Sequence, residues 1–459
     1  MSLNQVITTN AYNENKRQDE VDKINKAFYG KFNYPWPPLA FYAHTQQQFT
    51  TIMLNQDMGS WEHDIVPERP KIWVAGCGTT QALFTALKFP DSEVLGTDLS
   101  AESLKICEDS ANQLGITNLE LEEKSINNVT YPDKFDYIIC TGVIHHNADP
   151  RVSLDKLSAA LQPNGILELM VYNYYHMLFA ASYQKAIRML CHKDSANDAE
   201  IQLSTTKKLI TNFPVRNLMA RYLSSLKNVH DDSELADMLL QPVLHSYTIE
   251  TFIEMITQSG LECSLPCINQ FDKAKGRLTW NMQFHDPETA THYESLPDAQ
   301  RWQISNLLMM ELAPMLWFYL QRKDSSRRRK TEKEVCEEFL NTKFETHSTT
   351  LKEYRQDEQG KYRLNPKLIS IPAPIDPTDE LARKVFKVVN PTICMKDVFH
   401  KLKIETSFAN VNHLRVNLTT SAFPYLKAVS SEKDTWDNET LNKISFVRNT
   451  RREDEDFSF

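Results

Sequence analysis

Residues 71–80, KIWVAGCGTT, carry a short apolar run into a turn that holds Gly76 and Gly78. A strand, a glycine pair and a helix start let the backbone approach a ligand closely and offer it helix N-terminal amides. A nicotinamide or flavin cofactor would want a third glycine to bring its pyrophosphate near, and Gln81 stands in that place. The turn therefore suits a nucleoside that carries no pyrophosphate.

Four further runs, SEVLGTD, NLELEEKS, FDYIICTG and GILELMVY, alternate downstream with amphipathic stretches. This spacing predicts βαβ units and a parallel sheet, an α/β fold of the Rossmann-like, doubly wound kind. Ser100 is expected to cap a helix whose inner face is Leu104, Cys107, Ala111 and Leu114, and Gly115 to end it. Six of the chain's eleven glycines fall between 71 and 171, so glycine is kept for the turns of this region. Asp98 closes the second run, where its carboxylate can accept both hydroxyls of a ribose; the bland alternative is a cap for the next helix.

In order, VAGCGTT, VLGTDLS, EEKSINNV, FDYIICTGVIHHNADP and LQPNGILELMVYN resemble the class I S-adenosylmethionine-dependent methyltransferases. The resemblance covers about residues 70–175, continues more weakly to 285, and is to the bacterial type with a helical insertion and a C-terminal extension. It implies S-adenosylmethionine as cofactor. By that resemblance Gly76, Cys77 and Gly78 line the methionine end, Asp98 holds the ribose and Leu99 packs near the adenine. Ser125 and Ile126 flank the adenine edge, and Thr141 and Gly142 form the floor beneath the sulfonium. The chain departs from the pattern at Val74 and Thr80, where many members carry an acid and a glycine.

HHNADP places His145 and His146 just after the fourth strand, at the carboxyl edge of the expected sheet. Imidazole titrates near neutral pH, so either is a candidate general base, His145 first; the alternative is a packed or loop-holding histidine. Neighbouring histidines in an extended segment point apart and no third ligand is near, so no metal site is expected. Tyr172, after the fifth strand, completes the candidate catalytic set by lining the acceptor pocket. Methyl transfer is an in-line displacement whose rate comes mostly from holding nucleophile and methyl together, so no nucleophile triad is expected.

Around this core, residues 1–65 read as an N-terminal helical extension, 66–173 with 245–285 as the core, and 174–244 as a helical insertion covering the site. Residues 286–330 read as a helix and basic linker. In detail, LLMMELAPMLWFYL at 307–320 belongs to a long buried helix, LTWNMQF at 278–284 is a last antiparallel strand, and RKDSSRRRKTEKE is a solvated spacer. Residues 331–430 are expected to form a small winged-helix-like accessory module; its last helix carries only His413 and Arg415 as potential base or phosphate contacts, so partner or peptide docking is preferred to DNA reading, and 431–459 read as an acidic tail.

A formal charge of −9 argues against a surface dedicated to nucleic acid or anionic membrane. The most apolar window is 14 residues and broken by Glu311 and Pro314, too short to span a bilayer. Eight dispersed cysteines without a CxxC and a polar opening predict a cytoplasmic protein. The reading is a methyltransferase acting on an unidentified acceptor, a small molecule or a peptide or protein in preference to RNA, with a homo-oligomer compatible. Two alternatives stay open: a non-catalytic nucleoside-binding scaffold, which the Val74 and Thr80 departures favour, and behind it a nicotinamide-dependent oxidoreductase.

Overall fold

In this computed structural model residues 18–191, 198–229, 231–269, 273 and 280–429 are described. The N-terminal extension is not helical throughout: α1 (Gln18–Lys31) is followed by strand β1 (Ala40–His44) and α2 (Phe49–Asp57). Residues 1–17 and the proposed acidic tail lie outside the described residues.

The core follows the alternation in the sequence. β2 (Lys71–Ala75), α3 (Gln81–Lys88), β3 (Glu93–Asp98), α4 (Ala101–Leu114), β4 (Leu119–Glu123), β5 (Phe135–Thr141), α5 (Pro150–Ala160) and β6 (Leu161–Val171) succeed one another. β2 to β6 pair in parallel in the order β4-β3-β2-β5-β6. Their side chains alternate between two buried layers, Ile72, Val74, Tyr137 and Ile139 on one face and Trp73, Ala75, Ile138 and Cys140 on the other. Helices on both faces explain why these strands are continuously apolar. The Ser100 hydroxyl accepts from the Ser103 amide at 3.1 Å, and Gly115 ends α4 at φ 68°, both as expected.

Residues 174–244 contribute α6 (Leu178–Cys191), α7 (Asp198–Thr211), α8 (Leu218–Ser225) and α9 (Asp232–Leu239). Their apolar faces share one cluster with Phe28 and Phe32 at the end of α1, so the insertion and α1 form a single cover. α10 (Ile249–Gln258) then leads to edge strand β7 (Leu261–Pro266).

The stretch that follows corrects three expectations. Residues 278 and 279 lie outside the described residues, and 280–284 form no strand. The long helix is two elements: after α11 (Pro287–Ser295), α12 (Asp298–Met309) stops before Pro314, and Leu316–Arg322 is β8, antiparallel to both β6 and β7. The sheet thus takes its seventh strand from beyond residue 285. The basic run is a solvated spacer only in part: Lys323, Asp324, Ser326 and Arg328 are exposed, but Arg329 pairs with Asp298 at 2.5 Å and Glu332 is buried against Arg301 at 2.8 Å.

The C-terminal region comprises α13 (Glu332–Asn341), β9 (Phe344–Thr346), β10 (Thr349–Gln356), β11 (Tyr362–Ile371), α14 (Glu380–Phe386), α15 (Met395–Leu402), α16 (Phe408–Thr419), β12 (Phe423–Pro424) and β13 (Leu426–Ala428). Three short helices and a strand occur where expected, and Phe344 of β9 and Leu426 of β13 share the helices' apolar cluster. β9 pairs with β13, while the longer β10–β11 hairpin pairs with β1. Arg415 is buried on Asn412 (2.9 Å) and His413 faces Asp379 (3.2 Å), so neither offers a phosphate contact. The fully buried Gln56 of α2 donates to the carbonyls of Thr419 and Leu426, and accepts from the Ala428 amide at 2.7 Å. The two ends of the described chain are therefore one packed body.

Candidate cofactor and acceptor site

The site is built at the carboxyl ends of β2 to β6, where the sheet order reverses direction between β2 and β5. The amides of Gly76 and Cys77 both donate to the Thr97 carbonyl, at 2.8 and 2.9 Å, which turns the chain sharply after β2. Gly76 and Gly78 have φ of 71° and 53°, and a Cβ on them would sit 2.5 Å from Val143 and 2.7 Å from the Tyr34 carbonyl oxygen. Both positions thus require glycine.

Asp98 closes β3 and faces the glycine loop. Its Oδ2 accepts from the Gly78 amide at 2.8 Å and its Oδ1 from the Ser100 amide at 2.9 Å. Burial raises its pKa above the usual carboxylate value, while the Ser100, Gly78 and Leu99 amides pull it back. With three amides on its two oxygens the carboxylate keeps about one acceptor position, which suits a ribose hydroxyl. Leu99 is half-buried beside it, Ser125 caps the turn Ile126–Asn128, and Ile126 is buried. Thr141 accepts from the Gln81 side chain, and the Gly142 amide donates to Met170 at 3.2 Å. Cys77 is a buried thiol raised far above its ordinary pKa by burial, hence no nucleophile.

His145 is fully buried and stacks on Tyr172 with ring centroids 3.8 Å apart; neither of its ring nitrogens has a partner among the described residues. Burial, helped by His146 and His245, pushes its pKa well below the usual histidine value, so the imidazole is neutral. His146 Nδ1 donates to the Val243 carbonyl at 2.8 Å, and burial pushes its pKa to about 4. The Tyr172 hydroxyl accepts from Gln241 at 3.0 Å and burial raises its pKa, which leaves it a hydrogen-bond donor and not a base.

Residues that sequence reasoning missed close the site from above. Asn25 of α1 donates to the His146 carbonyl at 2.8 Å, and Asp22 accepts from Ser125 at 2.5 Å. Tyr34 and Pro35 lie against Gly78, with the Thr79 hydroxyl donating to the Pro35 carbonyl. Asp237 of α9 accepts from the Tyr29 hydroxyl and from Gln241 (3.3 Å), and burial pushes its pKa up to about 6. The one signal available in the sequence was a set of polar residues, Asp22 and Asn25, on the face of α1 that also carries Val21 and Phe28.

Residues 75–218 match a family model described as a methyltransferase domain. This segment is a class I methyltransferase domain. The match thus begins at the glycine loop and ends within the helical insertion, while β7 and β8 of the same sheet and the C-terminal region lie beyond it. The chain is 28% identical over 259 residues to an uncharacterized protein of Synechococcus, covering 54% of this chain and 60% of that one. It is 29% identical over 237 residues to an uncharacterized protein of Rickettsia prowazekii, covering 50% and 89% respectively. In fold it is similar to PKMT2 of Rickettsia typhi, at a TM-score of 0.52 and 18% identity over 86% of this chain and 77% of that one; PKMT2 has also been solved with AdoHcy.

Class I methyltransferase domains use S-adenosylmethionine, and the residues here fit it. Asp98 has acceptor capacity aimed at the glycine loop, and buried side-chain atoms at the site, Asn25 Oδ1, Asn33 Oδ1 and both nitrogens of His145, have no partner among the described residues. Unpaired buried polar atoms are costly unless a ligand satisfies them. No helix among the described residues is long and apolar enough to cross a membrane.

Proposed function

We propose that this chain transfers a methyl group from S-adenosylmethionine to a basic nitrogen on a small molecule or on a peptide or protein side chain. The observation that carries the acceptor class is Asp237. It is a carboxylate placed beside Tyr29 and Tyr172 in the cover over the glycine loop, and no ion pair among the described residues uses it. Tyrosine faces and a desolvated carboxylate together attract an ammonium group.

The cofactor, when bound, supplies an activated methyl on a sulfonium. Asp98 and the glycine loop orient the nucleoside, and α1 with α9 excludes water. The acceptor nitrogen must be neutral to attack, and dry aromatic surroundings lower the pKa of an amine that enters them. Neutral His145, with unpaired nitrogens, offers an acceptor for a hydrogen bond from the substrate amine, and the proton that the ammonium loses passes to the Asp237 carboxylate. The AdoHcy complex of PKMT2, a protein of this fold, supports the cofactor side of the reading.

The test is incubation with methyl-labelled S-adenosylmethionine and a panel of amines, lysine- and arginine-bearing peptides, carboxylates and RNA, read by mass spectrometry. Label on nitrogen, lost in Asp237→Asn while S-adenosylhomocysteine affinity holds, is expected. Label on RNA or on carboxylates would overturn the acceptor class, and absence of transfer to any panel member or lysate fraction the enzymatic reading.

A further inference from the structure

Four large apolar side chains that are exposed among the described residues, Leu307, Leu308, Met310 and Leu312, fall within six consecutive positions, with 41 to 58% of their surface open. Single exposed apolar residues are ordinary, whereas a contiguous group marks a contact surface. They occupy the end of α12 and the turn Met310–Leu312, where Met310 holds φ 51°, a strained conformation for a residue with a side chain. The turn is fixed from behind: the Ala313 carbonyl accepts from His176 Nδ1 at 3.3 Å, and the Pro314 carbonyl from the Asn173 side-chain amide at 2.7 Å. Asn173 is fully buried, accepts from Asn306 of α12 at 3.0 Å and follows Tyr172 directly, so the apolar turn stands on the rim of the acceptor site.

The rim is also one-sided in charge. Residues 172–184, 240–260 and 302–321 contain no lysine or arginine, and they meet here: the Ile249 amide donates to Asn306 at 3.2 Å and the Tyr174 amide to the Tyr247 carbonyl at 2.8 Å. Glu250 and Glu311 stand exposed on these stretches. We infer that this rim docks the acceptor and that the acceptor is a polypeptide: an apolar side chain of it covers Leu308 and Leu312, basic residues beside that side chain face Glu250 and Glu311, and the nitrogen to be methylated enters past Tyr172. The inference rests on the methyl-transfer reading above for where that nitrogen goes. A small amine reaching Asp237 would leave the four apolar side chains open to water, whereas a chain that crosses the rim buries them. The two acids set the sign of the partner, since opposite charges at a rim steer it in and like charges turn acidic segments away.

The experiment is fluorescence anisotropy of three dye-labelled peptides, of alternating lysine and leucine, lysine and serine, and glutamate and leucine, titrated with the full chain. The lysine–leucine peptide is expected to bind about tenfold or more tighter than either of the others, and less tightly as salt is raised. Leu308→Ser with Leu312→Ser should remove most of that preference. Met189→Ser with Leu190→Ser, an equally exposed apolar pair on α6, should leave it unchanged and so separates docking from general stickiness. Equal binding of the three peptides by the unaltered chain overturns the inference whether or not the variants fold, and so does an equal loss in the two double variants. The same peptides and butylamine are then offered with methyl-labelled S-adenosylmethionine. Binding with the expected pattern but no transfer would sink the reading above and leave a polypeptide docking face; transfer to butylamine with no preference among the peptides would sink this inference alone.

Discussion

The amide of Gly78 points at Oδ2 of Asp98 across 2.8 Å, so the glycine loop and the end of β3 are locked to each other before any ligand arrives. Removing the carboxylate frees the loop and deletes the acceptor for a ribose hydroxyl. Asp98→Ala should weaken S-adenosylhomocysteine binding by about 2–3 kcal/mol, measured by calorimetry. Unchanged affinity would show that the nucleoside lies elsewhere.

Tyr34 and Pro35 rest on the same loop, and Trp36 stacks edge-on against Tyr34 with centroids 5.4 Å apart. A ligand seated on the loop has to press against this segment. Binding of S-adenosylhomocysteine should therefore change the fluorescence attributable to Trp36, and Trp36→Phe should abolish most of that change while leaving affinity near its original value. A signal carried wholly by the other tryptophans would show that residues 33–36 stay put.

His146 makes acid stability legible. Its pKa is pushed down to about 4 by burial, against 6.5 when unfolded, so the unfolded chain binds the extra proton first. Stability is full above pH 6.5 and is lost as the pH falls from there towards 4, by about 3 kcal/mol for this residue. His44, pushed to about 3 by burial, adds in the same direction. His146→Asn retains a donor for the Val243 carbonyl but cannot titrate; its urea midpoint should fall less steeply between pH 6.5 and 4.5. A slope identical to that of the unaltered chain would mean the imidazole is reached by water.

Arg301 is buried between Asp298 and Glu332, both at 2.8 Å, and its guanidinium also covers the Phe408 ring at 4.6 Å. Arg301→Met preserves the bulk and strands two buried carboxylates. A loss of about 3–5 kcal/mol in urea unfolding is expected. A loss under 1 kcal/mol would mean that Arg329 and Trp302, which already contact these acids, take over the charge.

The glycine loop, Asp98 and the caps of α4 were readable because each is a local pattern whose partners lie within a few residues or at a fixed βαβ spacing. β8 was not. The run LLMMELAPMLWFYL is apolar on both sides of Glu311, and periodicity cannot separate a buried strand from a buried helix; Pro314, which disfavours helix in the residue before it, was the usable signal. The basic run looked solvated because Asp298, the partner of Arg329, is 31 residues away and carries no mark of burial in the sequence. Asp22 escaped for the same reason, since its partner Ser125 is 103 residues distant. Contacts of this range leave little local trace beyond the polar Asp22 and Asn25 on the inner face of α1, and they supply the roof of the site.

Gln56 meets its partners 363 and 370 residues later, and β1 finds its neighbour only when β10 exists. During synthesis the early segments therefore leave the ribosome with an unpaired strand edge and an unanswered buried amide, and must wait for nearly all the remaining chain. Shortening the protein at the basic run should not liberate a tidy catalytic half; it should yield a sticky fragment that chaperones retain.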